Sequence, residues 1–215
     1  MHKITSIISI KLVNFTLLIL LITATQIGYA QAEKKIGDIN ALKEPSIEEY
    51  EQLVFEATQY LLSNPVNEKS AKFVSSSKIV CFWMNQDTGY GIPLGGNFYY
   101  KLRNTDNQQY FYAVSIVNYL LDQKINHNRI LPCIAIEGET YKHQEDVKEV
   151  RLKAAEIFLG FAKKPKNKIK LTIRSKKYLK FYRKGTLNEK FQEELDELPT
   201  KKDVASPFIT SVRPN

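Results

Sequence analysis

Apolar residues recur along the chain at helical spacing, in blocks separated by turn-forming residues. The first block follows Ser46, which with Glu49 has the S-x-x-E spacing of a capping box. Tyr50, Leu53, Val54, Ala57 and Leu61 then share one helical face, and Asn64-Pro65 ends the helix because proline has no amide to donate. A second helix is expected over about 67–85, with Phe73, Ser77, Val80, Cys81 and Met84 in phase. The run IVCFWM alone would suit a buried strand, and the length of the segment decides for a helix. Residues 86–97 (QDTGYGIPLGGN) predict a loop or a short extended excursion, since glycines and a proline break any regular period.

The strongest period lies next. Thr105 and Gln108 again have capping-box spacing, and Tyr110, Ala113, Val114, Val117, Leu120 and Leu121 keep the i, i+3, i+4, i+7 rhythm. Phe111, Ile116 and Tyr119 widen that stripe, so this helix, ending near Lys124, is expected at the centre of the fold. Residues 126–140 contain a proline and alternate Ile134 with Ile136, which predicts an extended connection or at most an edge strand. A helix from about Lys142 sets Glu145 and Asp146 near the positive end of its dipole and aligns Val147, Val150, Ala154, Ile157, Phe158 and Phe161. Glu149 and Lys153 form an i, i+4 pair on it.

Beyond it, Ile169, Leu171 and Ile173 alternate as in a strand, and the stretch to Lys184 predicts a helix with Gly185 just past its end. Thr186 and Glu189 make a third capping box for a last helix carrying Leu187, Phe191, Leu195 and Leu198, stopped by Pro199. No motif repeats at a fixed period. The expected fold is all-α, a single-domain helical bundle or short stack of antiparallel helix pairs over residues 46–198. One short strand pair at most is expected in it, and a loose tail over 199–215.

The pattern before residue 46 is different. Lys3 and Lys11 precede an apolar run from Phe15 to Ile22, and Gly28-Tyr29-Ala30 puts small residues at the −3 and −1 positions before the polar QAEKK. The run falls short of the ~20 residues that cross a bilayer, so residues 1–30 predict a signal peptide cleaved after Ala30 rather than a retained anchor. No cysteine follows that site to take a lipid. Residues 31–45 predict a flexible lead-in. The chain carries a net charge of +8, and loss of residues 1–30, with two lysines and no acid, leaves +6. Export to the periplasm or beyond makes Cys81 and Cys133 a candidate disulfide, worth up to ~4 kcal/mol on the chain-entropy model. Two buried free thiols are the equal alternative, since both sit among apolar neighbours.

Candidate chemistry is sparse. After residue 30 the only histidines are His127 and His143, and neither stands at a zinc spacing. Glu137, Glu139, His143, Glu145 and Asp146 gather at one helix start, where acids are ordinary dipole partners, so no metal site is expected. There is no GxSxG or SxxK, hence no catalytic residue to name, and GYGIPLGG lacks both GK[ST] and GxGxxG, so no cofactor is expected either. Trp83, Tyr90, Phe98, Tyr99 and Tyr100 surround the glycine-rich stretch as a candidate groove for a peptide, glycan or apolar ligand. That these rings cover the core beneath a long connection is the weightier alternative.

Residues 163–184 hold eleven Lys or Arg and no acid. Lys176, Lys177, Lys180 and Arg183, interleaved with Tyr178, Phe181 and Tyr182, are candidate contacts for a polyanion such as anionic lipid headgroups, lipopolysaccharide or extracellular DNA. A solvated basic face, neutralised by Glu193, Glu194, Asp196 and Glu197, is the plainer reading. No nucleic-acid motif is present.

With its signal peptide, the FWMN segment at Trp83 and the helices YFYAVSIVNYLLDQ and EVRLKAAEIFLGF, the chain resembles exported helical proteins of Bacteroidetes-type bacteria, a group of uncharacterised function. The resemblance implies no catalytic motif and no site residue. The expected role is a non-catalytic binding or interaction module of the bacterial envelope. Its partner would be an envelope protein, peptide or glycan, with an anionic surface as the weaker case. An envelope hydrolase with carboxylates assembled from separate helices is the alternative.

Overall fold

A computed structural model describes residues 47–103 and 107–197. They form helices α1 (Ile47–Ser63), α2 (Ala71–Met84), α3 (Gly96–Tyr100), α4 (Gln108–His127), α5 (Glu145–Ala162), α6 (Ile173–Lys184) and α7 (Leu187–Glu193). Single 3₁₀ turns stand at Tyr141–His143 and Pro165–Asn167, and no strand occurs among the described residues, so the domain is all-α. These helices belong to one compact unit that begins at Ser46. The signal-peptide, lead-in and tail expectations, and the caps assigned to Ser46 and Thr105, lie outside the described residues.

The broad apolar arc of α4 makes it the central element, as its period predicts. Every residue from Gln108 to Val117 is buried, and Phe111, Val114, Ile116, Val117, Leu120 and Leu121 have no exposed surface. One side of α4 packs on α5 through Val147, Val150, Ala154, Phe158 and Leu159, with Phe111 stacked on Phe161 at 4.6 Å. The other side packs on α1, which also carries α2. Two polar contacts fix the α1–α4 register: Lys124 Nζ meets the buried Glu51 carboxylate at 2.6 Å, and Asn118 Nδ2 donates to Thr58 Oγ1 at 3.0 Å. A pair so enclosed costs desolvation as well as gaining attraction, so we read it as fixing register rather than as a large net stabiliser.

Several helix ends differ from expectation, each for a local reason. Helix α2 starts after Ser70, whose Oγ accepts from Phe73 N, while Asn67 serves the preceding turn through Lys69 N. Helix α4 starts after Asn107, which is left-handed at φ 56 and makes no side-chain cap. Gln108 does not cap either; it is fully buried, and its Nε2 donates to the Lys170 carbonyl at 2.8 Å. Helix α4 runs three residues past Lys124. The helix expected from Lys142 begins at Glu145, after the 3₁₀ turn. On it Glu149 turns to Arg129 and Lys153 to Glu156, so the Glu149–Lys153 pair does not form.

The strand expected at 169–173 does not form. No strand stands among the described residues to pair with it, and Thr172 instead caps α6 by accepting from Ser175 N at 3.0 Å. At the far end Gly185 adopts φ 73, and the amides of Gly185 and Thr186 return to the carbonyls of Tyr182 and Phe181, closing α6 as expected. Thr186 provides no side-chain cap for α7, correcting the third capping box. Residues 128–140 are irregular throughout.

Candidate functional site

The aromatic groove does not exist as an open surface. Trp83 is 1% exposed, Phe98 3% and Tyr99 4%; only Tyr90 and Tyr100 are half-buried. The segment read as loop runs at its end into α3, which pushes Phe98 into a nest of rings. Tyr178 lies 4.8 Å from it, Tyr112 5.4 Å, Phe191 5.7 Å and Phe158 6.1 Å. Edge-on packing of this kind adds to the area that the rings already bury, so α3 is a core plug joining α4, α5, α6 and α7. Tyr90 leans on Trp83 at 5.9 Å and shields it.

The cysteines are free thiols rather than a bridge. Cys81 is half-buried on α2, and Cys133 is buried in the 128–140 connection. The acids and histidine at the start of α5 disperse. Asp146 accepts from Cys133 N at 2.7 Å, Glu145 pairs with Lys148, His143 reaches Asp196 at 2.9 Å, and Glu137 and Glu139 are exposed. No three metal-ligating side chains gather among the described residues.

The basic run is where the fold concentrates exposed positive charge. On α6, Ser175 and Tyr178 face inward, Ser175 donating to Gln108 Oε1 and Tyr178 packing edge-on against Phe98. The opposite line runs Ile173, Lys177, Lys180, Lys184 at i, i+4, i+7 and i+11, with Lys176 and Arg183 beside it, and all six are exposed. The inward face anchors the helix, so its outward cations are held in one ridge.

A groove lies along each flank of that ridge. The first, about 600 Å³, has a floor of Ala162, Ile169, Leu171 and Leu179 and walls of Lys163, Lys170, Lys176, Lys180 and Arg183. Among the described residues it contains no carboxylate. Three of the four predicted contacts therefore share one groove, and Lys163 and Lys170 join them. Lys177 faces the second groove, about 400 Å³, with Lys101, Arg174, Tyr178, Phe181, Lys190 and Glu194. The alternation of Ile169 and Leu171 is thus explained by a groove floor rather than by a sheet.

The carboxylates expected to neutralise the run are committed elsewhere. Glu193 pairs with Lys190 at 3.0 Å, Asp196 with Lys142 at 2.7 Å, and Glu197 accepts from Asn97 at 3.1 Å. Glu194, the one carboxylate among the described residues of the two grooves, receives Lys101 and Lys190 at 3.1 Å each and the Tyr178 hydroxyl. Burial pushes the Glu194 carboxyl up, but the hydrogen bonds from Tyr178, Lys190 and Lys101 outweigh it and hold the group below the usual carboxylate range. Helix α6 also has no acid in its first turn, so its cations there oppose the helix dipole. Together these leave Lys163, Lys170, Lys176, Lys180 and Arg183 clustered in a groove lined by no carboxylate among the described residues, and a bound anion would relieve that repulsion.

No described helix is long and apolar enough to cross a membrane. Comparison of the chain with protein-family models, curated proteins and solved structures returns no match in any of the three.

Proposed function

We propose that the chain is an exported, non-catalytic binding module of the bacterial envelope whose ligand is a polyanion held on the basic face of α6. One observation carries the reading: five cations line a single groove with an apolar floor and, among the described residues, no carboxylate. The nearby acids that would make this an ordinary solvated face are paired with Lys101, Lys142, Lys190 and Asn97 instead. The alternative aromatic surface loses its support because Trp83, Phe98 and Tyr99 are core. Export rests on the N-terminal pattern alone.

Retention on heparin, a generic polyanion, tests the reading with the protein recovered after export, whose N-terminus is expected at Gln31. Exposed cations are screened by salt, so retention at low ionic strength should fall away as salt rises. The combined variant Lys176→Gln, Lys180→Gln, Arg183→Gln should elute far earlier. A protein that flows through at low salt, or a triple variant eluting with the parent, would remove α6 as the site.

A further inference from the structure

We infer that the polyanion is the surface of an anionic bilayer and that Ile173 is the side chain that enters it. This rests on the reading of α6 as a polyanion site. Ile173 is 84% exposed, more than any other large apolar side chain among the described residues. It stands on the same outward line as Lys177, Lys180 and Lys184, at the head of the helix. An exposed isoleucine aligned with lysines adds nothing to the capture of a soluble anion. Against a bilayer the two residue types divide the work: the lysines draw the helix to the headgroups, and the isoleucine buries itself at the acyl boundary. Half-buried Ile169 and Leu171 lie just before it in the chain, so the entering point has apolar support.

The three next most exposed apolar residues lack this charge pattern. Ile130, Ile134 and Ile136 lie in the 128–140 connection, beside exposed Glu137 and Glu139, and the neighbouring Arg129 is taken by Glu149. An anionic surface would be repelled there. Single-stranded nucleic acid fits α6 less well, because its bases need open aromatic faces. Tyr178 is buried, Tyr182 lies under Lys163 with its hydroxyl against Gly160, and Phe181 lies under Lys190.

The test pairs vesicle sedimentation with heparin retention, using the protein recovered after export. Vesicles of phosphatidylglycerol with phosphatidylcholine are compared with vesicles of phosphatidylcholine alone. The expected result is binding to the anionic vesicles at least about tenfold tighter than to the neutral ones, weakened about fivefold for each of Lys177→Gln and Lys184→Gln. Ile173→Ser should weaken vesicle binding about tenfold and leave heparin elution unchanged. Heparin retention without vesicle binding would assign α6 to a soluble polyanion or nucleic acid and overturn the inference while keeping the proposed function. Undiminished vesicle binding by Ile173→Ser would overturn the role of Ile173. Absence of both activities in the unsubstituted protein would overturn the proposed function itself.

Discussion

Gly91 lies against the carbonyl of Cys133 so closely that a Cβ on it would stand 1.9 Å from the Cys133 oxygen and 2.8 Å from its carbonyl carbon. The carbonyl has nowhere to go. It accepts from the Tyr141 hydroxyl at 2.9 Å, the Cys133 amide is held by Asp146 at 2.7 Å, and Gly91 itself donates to the Pro132 carbonyl at 2.7 Å. Cys133 is already left-handed at φ 49, so the residue most affected has little freedom to yield. This knot pins the stretch that follows α2 to the connection ahead of α5.

Gly91→Ala is therefore expected to destabilise the fold by about 3 kcal/mol, since the obstacle is backbone on both sides. Gly160→Ala is the control. Its Cβ would meet only the tip of the Tyr182 side chain, at 3.1 Å, and alanine is favoured over glycine in a helix by about 1 kcal/mol. The two effects nearly cancel, and a change within about 1 kcal/mol is expected. Denaturant unfolding of both variants checks the pair, and equal losses would mean that the Gly91–Cys133 approach is looser than described.

Glu194 gives a pH dependence with a definite sign. Its carboxyl is held below the ordinary range by Tyr178, Lys190 and Lys101 against the opposing effect of burial. A group with a depressed folded-state pKa contributes stability above its unfolded value, near ~4.3, and loses it as pH falls through the folded value. Glu194→Gln should thus cost about 1–3 kcal/mol near neutrality, because Lys101 and Lys190 lose their charged partner. The gap between variant and parent should narrow when unfolding is measured at about pH 3 rather than about pH 6. A gap that stays constant or widens on acidification would show that the carboxylate does not act as a clasp between α3, α6 and α7.

Much of this fold is legible in periodicity, and the exceptions have physical causes. The nine-residue apolar set of α4 is wide enough to place it centrally, and Gly185 marks the end of α6 because left-handed backbone there suits glycine. Helix α3 escapes notice because five residues are fewer than two turns, and its reason to be helical is the set of distant rings around Phe98. Ser70 and Thr172 were hidden as caps because Phe73 and Ser175, not a glutamate or glutamine, stand three residues on. Thr186 and Glu189 have the spacing, yet Thr186 sits at φ −112 and ψ 29, where its side chain makes no cap bond. The eleven cations of 163–184 are plain in the sequence. Which of them share a groove, and that the nearby acids serve Lys101, Lys142 and Lys190, depends on contacts across the fold.

The cysteines extend the same point into chemistry. The export expected from the N-terminal pattern would invite a bridge between the two cysteines, yet here each thiol has separate surroundings: Cys81 beside Tyr110, and Cys133 beside Asp146 and Tyr141. Burial pushes the Cys81 thiol up, and burial together with the Asp146 charge pushes Cys133 up to about 12. At about pH 8 the Cys133 thiolate would be roughly one part in ten thousand, so neither alkylation nor oxidation should reach it in the folded protein. Unreduced protein is thus expected to take two alkyl groups in denaturant. In native buffer Cys81 should react slowly, and Cys133 only as the fold opens. A mass showing no alkyl uptake without reductant would mean that a bridge forms during export, and with it a different path for residues 128–140 from the one that Gly91, Asp146 and Tyr141 hold in place.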